Sequence, residues 1–424
     1  VVSIDNEAAS DVTVNVRGDL KPATTKDAIN LGPGAKINIV GTTDNVLSVA
    51  AKFGAIVIRG TGNVITNYGT IQSAQGAAIQ GNFFNAQTDG AVLLNYGTIK
   101  TLSSQGNSVN LGDNARVTNS GEILFEGGEN GQAVSVGSES VVDNTGLIEA
   151  KEFKGSTKGI DAVSLGELSD LINKGTIRLI GDTNDPAGRG VAVDAIGADV
   201  SIDNSGIIDA SRGGLAITAG ARGQVLIENS GTIIGGSGGA ISLRYSEASQ
   251  LLLQSGSQIT GDVLVRVIDT TSLRKTDAEL GSQVAIDFCN QNPSDQFCFK
   301  PISALPQNAF LQLEGTGTED DRLTGFNQID KVDAGAWTLG ADFLAGSATD
   351  FYQTGDFRDT LSIDVQDVAG QLNLTGNITD NPDGTKGQLA KNGSGTLVLS
   401  GTNTYGGATT INAGILRVSG GNAI

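Results

Sequence analysis

Ser237 lies in Gly235-Gly-Ser237-Gly-Gly239, which has the Gly-x-Ser-x-Gly form of a nucleophile elbow. An elbow serine needs an imidazole to take its proton, and the 424 residues include no histidine. The same absence removes Cys-His dyads, His-ligated zinc and any imidazole general base. The serine is therefore expected in a plain Gly-rich turn. Residues 235–243 also approach a calcium-binding nonapeptide, but Ala240 stands where the ligand aspartate is required. Cys289 and Cys298 are the two cysteines. A metal site needs more ligands than they supply, and a reactive thiol would lack a base. They are read as a structural disulfide of an exported protein, closing a small loop and stabilising it by about 2–3 kcal/mol. Glu319-Asp320-Asp321 and Asp380-Asn-Pro-Asp383-Gly384 offer oxygens to a hard cation, but their expected state is a solvated acidic loop. Arg17-Gly18-Asp19 is an integrin-type tripeptide and a candidate recognition site, weighed against an ordinary polar turn. No catalytic residue, cofactor or metal is assigned, and the chain is not read as an enzyme.

The composition narrows the scaffold. Glycine numbers 60, aromatic residues make up 4 % and the formal net charge is −19. That charge repels nucleic acid and anionic lipid headgroups, so neither is an expected partner. No apolar run is long enough for a membrane-spanning helix, so direct membrane insertion is not expected. The first residue is Val1, with neither an initiator methionine nor a signal peptide, as expected of a processed product.

A repeat organises most of the chain. Asn-x-Gly-x-Ile begins at Asn67, Asn95, Asn119, Asn144, Asn173, Asn204 and Asn229, at spacings of 28, 24, 25, 29, 31 and 25 residues. Gln254-Ser-Gly256 looks like a degenerate further copy. Within a repeat, Ala133–Val136, Ser140–Asp143 and Leu147–Glu149 read as three short strands separated by turns, their alternation placing one aliphatic row inside. A coil of about 25 residues with three strands and no intervening helix predicts an all-β, right-handed parallel β-helix. The asparagine suits a turn on two grounds: it tolerates positive φ, and its amide can pair with the asparagine one coil on. The glycine two residues later is expected to supply a second unusual dihedral.

This reading divides the chain into repeat coils over 1–261, an irregular excursion over 262–330 that contains the Cys289/Cys298 loop, and C-terminal coils over 331–424. One helical turn is expected around 276–280. Trp337 is expected in the core or capping a coil. Three irregular places stand out as seats of recognition: the loop 72–94 with Phe83 and Phe84, the loop 182–186, and 262–310.

Residues 393–418 contain Gly393-Ser-Gly395-Thr-Leu397, Ser400-Gly-Thr-Asn403-Thr-Tyr405 and Thr409-Thr-Ile411-Asn-Ala-Gly414 in that order. They closely resemble the autotransporter-associated β-strand repeat of type V secretion passengers, with Ala408 as a mild departure. The resemblance implies a passenger exported through the inner membrane, then threaded through an outer-membrane barrel to the bacterial surface or beyond. That C-terminal barrel is not found before Ile424. Few and closely spaced cysteines also fit the resemblance. The implied role is adhesion or self-association, with a host-cell surface protein, a glycan or a second copy as partner. The alternatives are a released soluble ligand of a host-cell receptor and a polysaccharide-active β-helix enzyme.

Overall fold

The computed structural model describes residues 4–6, 10–17, 27–40, 46–49, 54–74, 76–81, 89–102, 106–128, 131–152, 159–181, 190–195, 197, 199–220, 224–244, 248–266, 308–326, 328–344, 360–380 and 386–419. Among these residues every secondary-structure element is a β-strand, and the named strands pair in parallel. The fold is a parallel β-helix. Two units separate: one comprises 1–220, 225–242 and 253–263, the other 221–224, 243–252 and 264–424. Each is described by itself.

In the first unit each coil contributes one strand to each of three sheets. Gln132–Val136, Val141–Asn144 and Leu147–Glu152 form one such coil. Identical repeat positions face each other from coil to coil, so Asn119 pairs with Asn144 and Ile123 with Ile148. The isoleucine of the repeat makes one continuous inward row: Ile71, Ile99, Ile123, Ile148, Ile177, Ile208 and Ile233, all fully buried. Period-two alternation is what permits this, since alternate side chains face the core and the others face out.

The asparagines stack, but their backbone differs from the sequence expectation. None of the seven lies among the positive-φ residues. Positive φ falls instead on the turn between the first and second strands, at Gly90, Asn114, Glu139, Leu168 and Asp199. The repeat glycines Gly97, Gly121, Gly146, Gly175, Gly206 and Gly231 likewise carry no positive φ. Their requirement is space: a Cβ on any of them would lie 2.0–2.2 Å from a carbonyl oxygen of the preceding coil. The continuation at Gln254 is also shifted by one. The Gln254 N–H donates to the Asn229 carbonyl, as the residue after each repeat asparagine does, so Leu253 takes the asparagine position.

In the second unit, Asn308–Leu313, Gln328–Lys331, Thr360–Val365, Gln388–Asn392 and Thr409–Ile411 follow one another in one sheet. Gly317–Glu319, Gly335–Leu339, Gly370–Leu374, Thr396–Leu399 and Ile415–Val418 form a second. Trp337 is fully buried here, its indole N–H donating to the Glu314 carbonyl at 2.9 Å. A Cβ on Gly317 would sit 2.4 Å from that ring, so the glycine makes room for the tryptophan.

Candidate functional site

The asparagine row fixes the geometry of one edge of the first unit. Each side-chain amide donates to the next asparagine's Oδ1, from Asn67 to Asn95 at 2.8 Å through to Asn204 and Asn229 at 2.8 Å. The row ends on the Ser257 hydroxyl, 2.7 Å from Asn229 Nδ2. The same amide also donates to the carbonyl two residues on, as Asn144 does to Gly146. These asparagines are fully buried, and they hold the following residue of each coil outward in a fixed position.

Those following residues form a second row, Tyr68, Tyr96, Ser120, Thr145, Lys174, Ser205 and Ser230, with Val40 in register one coil before it. No residue of this row is acidic, in a chain with 46 Asp and Glu. Tyr68 and Tyr96 are 53 % and 47 % exposed and stack on each other, with ring centroids 4.8 Å apart and planes 8° from parallel. That separation is the coil rise, so the repeat itself sets the stack. Val40, 41 % exposed, lies one coil before Tyr68. Beyond Tyr96 the side chains shrink to Ser120 and Thr145, whose hydroxyls are hydrogen-bonded at 3.2 Å. In the sequence the two tyrosines stand only as the variable residue of Asn-x-Gly-x-Ile. The available signal was one aromatic type at one repeat position, 28 residues apart.

A charged ladder crosses the outer face of the third-strand sheet. Arg178 bridges Glu149 at 3.4 Å and Asp209 at 3.5 Å, and Lys100 pairs with Glu126 at 3.1 Å. Such exposed pairs contribute about 0–1 kcal/mol each. At the start of the strand Asp161–Leu165, Asp161 accepts the Val191 N–H at 3.2 Å and a hydrogen bond from Gln132. Burial outweighs both and pushes its carboxyl up to about 6.

The other sequence candidates are not gathered into a site. Arg17 is exposed at the end of Thr13–Val16, while Gly18 and Asp19 lie outside the described residues. Phe83, Phe84, Cys289, Cys298, the loop 182–186, residues 276–280 and most of 262–310 also lie outside them. Ser237 is exposed, and its hydroxyl donates to the Gly213 carbonyl at 3.4 Å, within a turn closed by Gly236 and Gly239. The acidic run at 319–321 differs from the solvated loop expected, because Glu319 is buried and accepts the Asp321 N–H at 3.1 Å. Among the described residues, no group of three or more Cys, Asp or Glu could hold a metal ion. No helix there is long and apolar enough to cross a membrane.

The C-terminal signature is a set of braces. Asn403 Oδ1 accepts the Ile378 N–H at 2.8 Å, and the Tyr405 hydroxyl meets Thr409 Oγ1 at 2.5 Å. Asp380 Oδ1 takes the N–H groups of Gly387 at 2.9 Å and Gly406 at 2.8 Å. A Cβ on Gly401 would lie 1.9 Å from the Gly376 carbonyl oxygen. These turns therefore require the residues that the signature specifies. No curated protein and no solved structure matches the chain. Residues 389–418 match the family model described as passenger-associated-transport-repeat. That repeat implies surface display or secretion. The coil that carries these braces thus supports the reading of the chain as an autotransporter passenger with β-strand repeats.

Proposed function

We propose that this passenger acts as a contact element at the bacterial surface, in adhesion or self-association, through the turn edge that presents Tyr68 and Tyr96. One observation carries the reading: two half-exposed tyrosines stack on an edge row without acidic residues, in a protein of net charge −19. Exposed aromatic side chains held rigidly in place bring a large contact area at low entropic cost. A strip without acidic side chains also lets two acidic molecules, or an acidic molecule and a cell, approach without local repulsion. Repetition along a displayed passenger, and of passengers on one cell, turns weak contacts into firm attachment.

The test is to display the passenger on cells and replace both tyrosines, Tyr68→Ser and Tyr96→Ser, while following circular dichroism. The expected result is loss of host-cell attachment or of cell–cell aggregation with the β-signal unchanged. Full attachment and aggregation by the double variant would remove this edge from the contact. Receptor engagement by passenger recovered from culture medium, without attachment of the cells, would favour the soluble-ligand reading instead.

A further inference from the structure

We propose that the free face of Tyr96 and the hydroxyl step beyond it form a subsite for a neutral glycan, an inference that rests on the adhesive reading above. The two phenol rings are parallel to within 8°, so Tyr68 covers one face of Tyr96. The opposite face points along the row toward Ser120. Ser120 and Thr145 are both exposed and too short to cover it. The result is a step, with an aromatic wall on one side and a floor of hydroxyls on the other.

A pyranose ring matches that step chemically. Its C–H face is apolar and stacks on an aromatic ring, while its equatorial hydroxyls need donors and acceptors at the side. Ser120 and Thr145 offer both, and their mutual hydrogen bond of 3.2 Å holds them in place. Neither phenol hydroxyl has a protein partner among the described residues, so both are open to a ligand. Lys174 and Ser205 continue the row one and two coils on, at intervals of about 4.8 Å, so a glycan chain lying along the edge would meet a polar side chain at each coil. Charge decides the type of sugar. A net charge of −19 repels sulfated and carboxylated glycans, and between Tyr68 and Ser230 Lys174 is the row's single cation.

The experiment measures binding of the whole chain to immobilised cellohexaose, maltohexaose and dextran, with heparin as the anionic probe. The wild type is expected to bind at least one neutral sugar and to bind heparin less. Tyr96→Ala should weaken that binding about tenfold, and Tyr96→Phe, which keeps the ring, should change it by less than about twofold. Ser120→Tyr should extend the stack, fill the step and abolish binding while leaving circular dichroism unchanged. The proposal is overturned if no neutral sugar binds, if heparin is preferred, or if Tyr96→Ala binds as the wild type does. If loss of the tyrosines abolishes cell contact while no sugar binds, the adhesive reading stands and the glycan subsite falls. If sugar binds but cells neither attach nor aggregate, the subsite stands and the adhesive reading falls.

Discussion

A Cβ placed on Gly121 would lie 2.0 Å from the carbonyl oxygen of Gly97, one coil before it. The Glu122 N–H also donates to that carbonyl at 2.8 Å, so the oxygen cannot swing away without breaking the sheet. Gly121→Ala should therefore cost about 3 kcal/mol, the upper end of the usual range for overpacking. The contrast is Gly62, where a Cβ would meet nothing within 4 Å but φ is +73°. Gly62→Ala should cost about 1 kcal/mol, from backbone strain alone. Urea unfolding of both variants checks the order, and equal losses would contradict the steric account.

The asparagine row leads to a separate expectation. Asn144 Nδ2 donates to Asn173 Oδ1 at 2.9 Å and to the carbonyls of Gly146 and Thr176 at 3.3 Å each. Its own Oδ1 accepts from Asn119 at 2.8 Å. Asn144→Leu leaves these buried groups without a partner and should cost about 1–3 kcal/mol. A variant as stable as the wild type would show that the ladder adds nothing to stability.

How much of this was legible beforehand depended on whether a signal repeated. The Asn-x-Gly-x-Ile spacing announced the coils, because the same three residues solve the same stacking problem each time. The reason for the glycine was misread, since only the structure shows a neighbouring coil's carbonyl where a Cβ would go. The register slip at Gln254 has a similar origin. A polar residue before Ser-Gly looks like a ladder member, yet Leu253 holds that position. The tyrosine edge was missed because residue 68 and residue 96 become neighbours only through the coil pitch. Lys331 and Lys391 are fully buried, and they were missed because a lysine in an alternating strand reads as facing water.

Asp161 makes stability depend on pH. Its carboxyl is pushed from 3.8 to about 6, chiefly by burial, against hydrogen bonds from Gln132 and the Val191 N–H. The folded pKa lies above the unfolded one, so the native state binds the extra proton between about pH 4 and 6. The group's favourable contribution is thus complete below about pH 4 and is lost as pH rises through 6. At pH 7.5 the buried carboxylate should cost about 1–3 kcal/mol. Asp161→Asn keeps an oxygen for the Val191 N–H and removes the charge. It should raise the unfolding midpoint at pH 7.5, leave it nearly unchanged at pH 4, and flatten the profile between. A variant with the wild-type profile would place the titration elsewhere.

Lys391 occupies a core position. It continues the inward row Leu311, Ile329 and Ile363, is followed by Ile411, and is fully buried. Its ammonium donates to the carbonyls of Asn392, of Gly393 at 2.8 Å and of Ala413 at 3.3 Å. Lys331, also fully buried, donates to the carbonyl and carboxylate of Asp333. Each lysine therefore serves the carbonyl two residues on, the task that Asn144 performs for Gly146 in the first unit. Burial lowers the Lys391 pKa, and the nearby Asp364 opposes that shift. Two effects compete when Lys391 is replaced by Met. Removing a desolvated cation favours the variant, while stripping the turn carbonyls of their donor disfavours it by about 1–3 kcal/mol. With three acceptors served by one group, the second effect should win, and Lys391→Met should lower the unfolding midpoint. If Lys391→Met is as stable as the wild type or more so, the ammonium is a burden that the core tolerates and the turn holds without it.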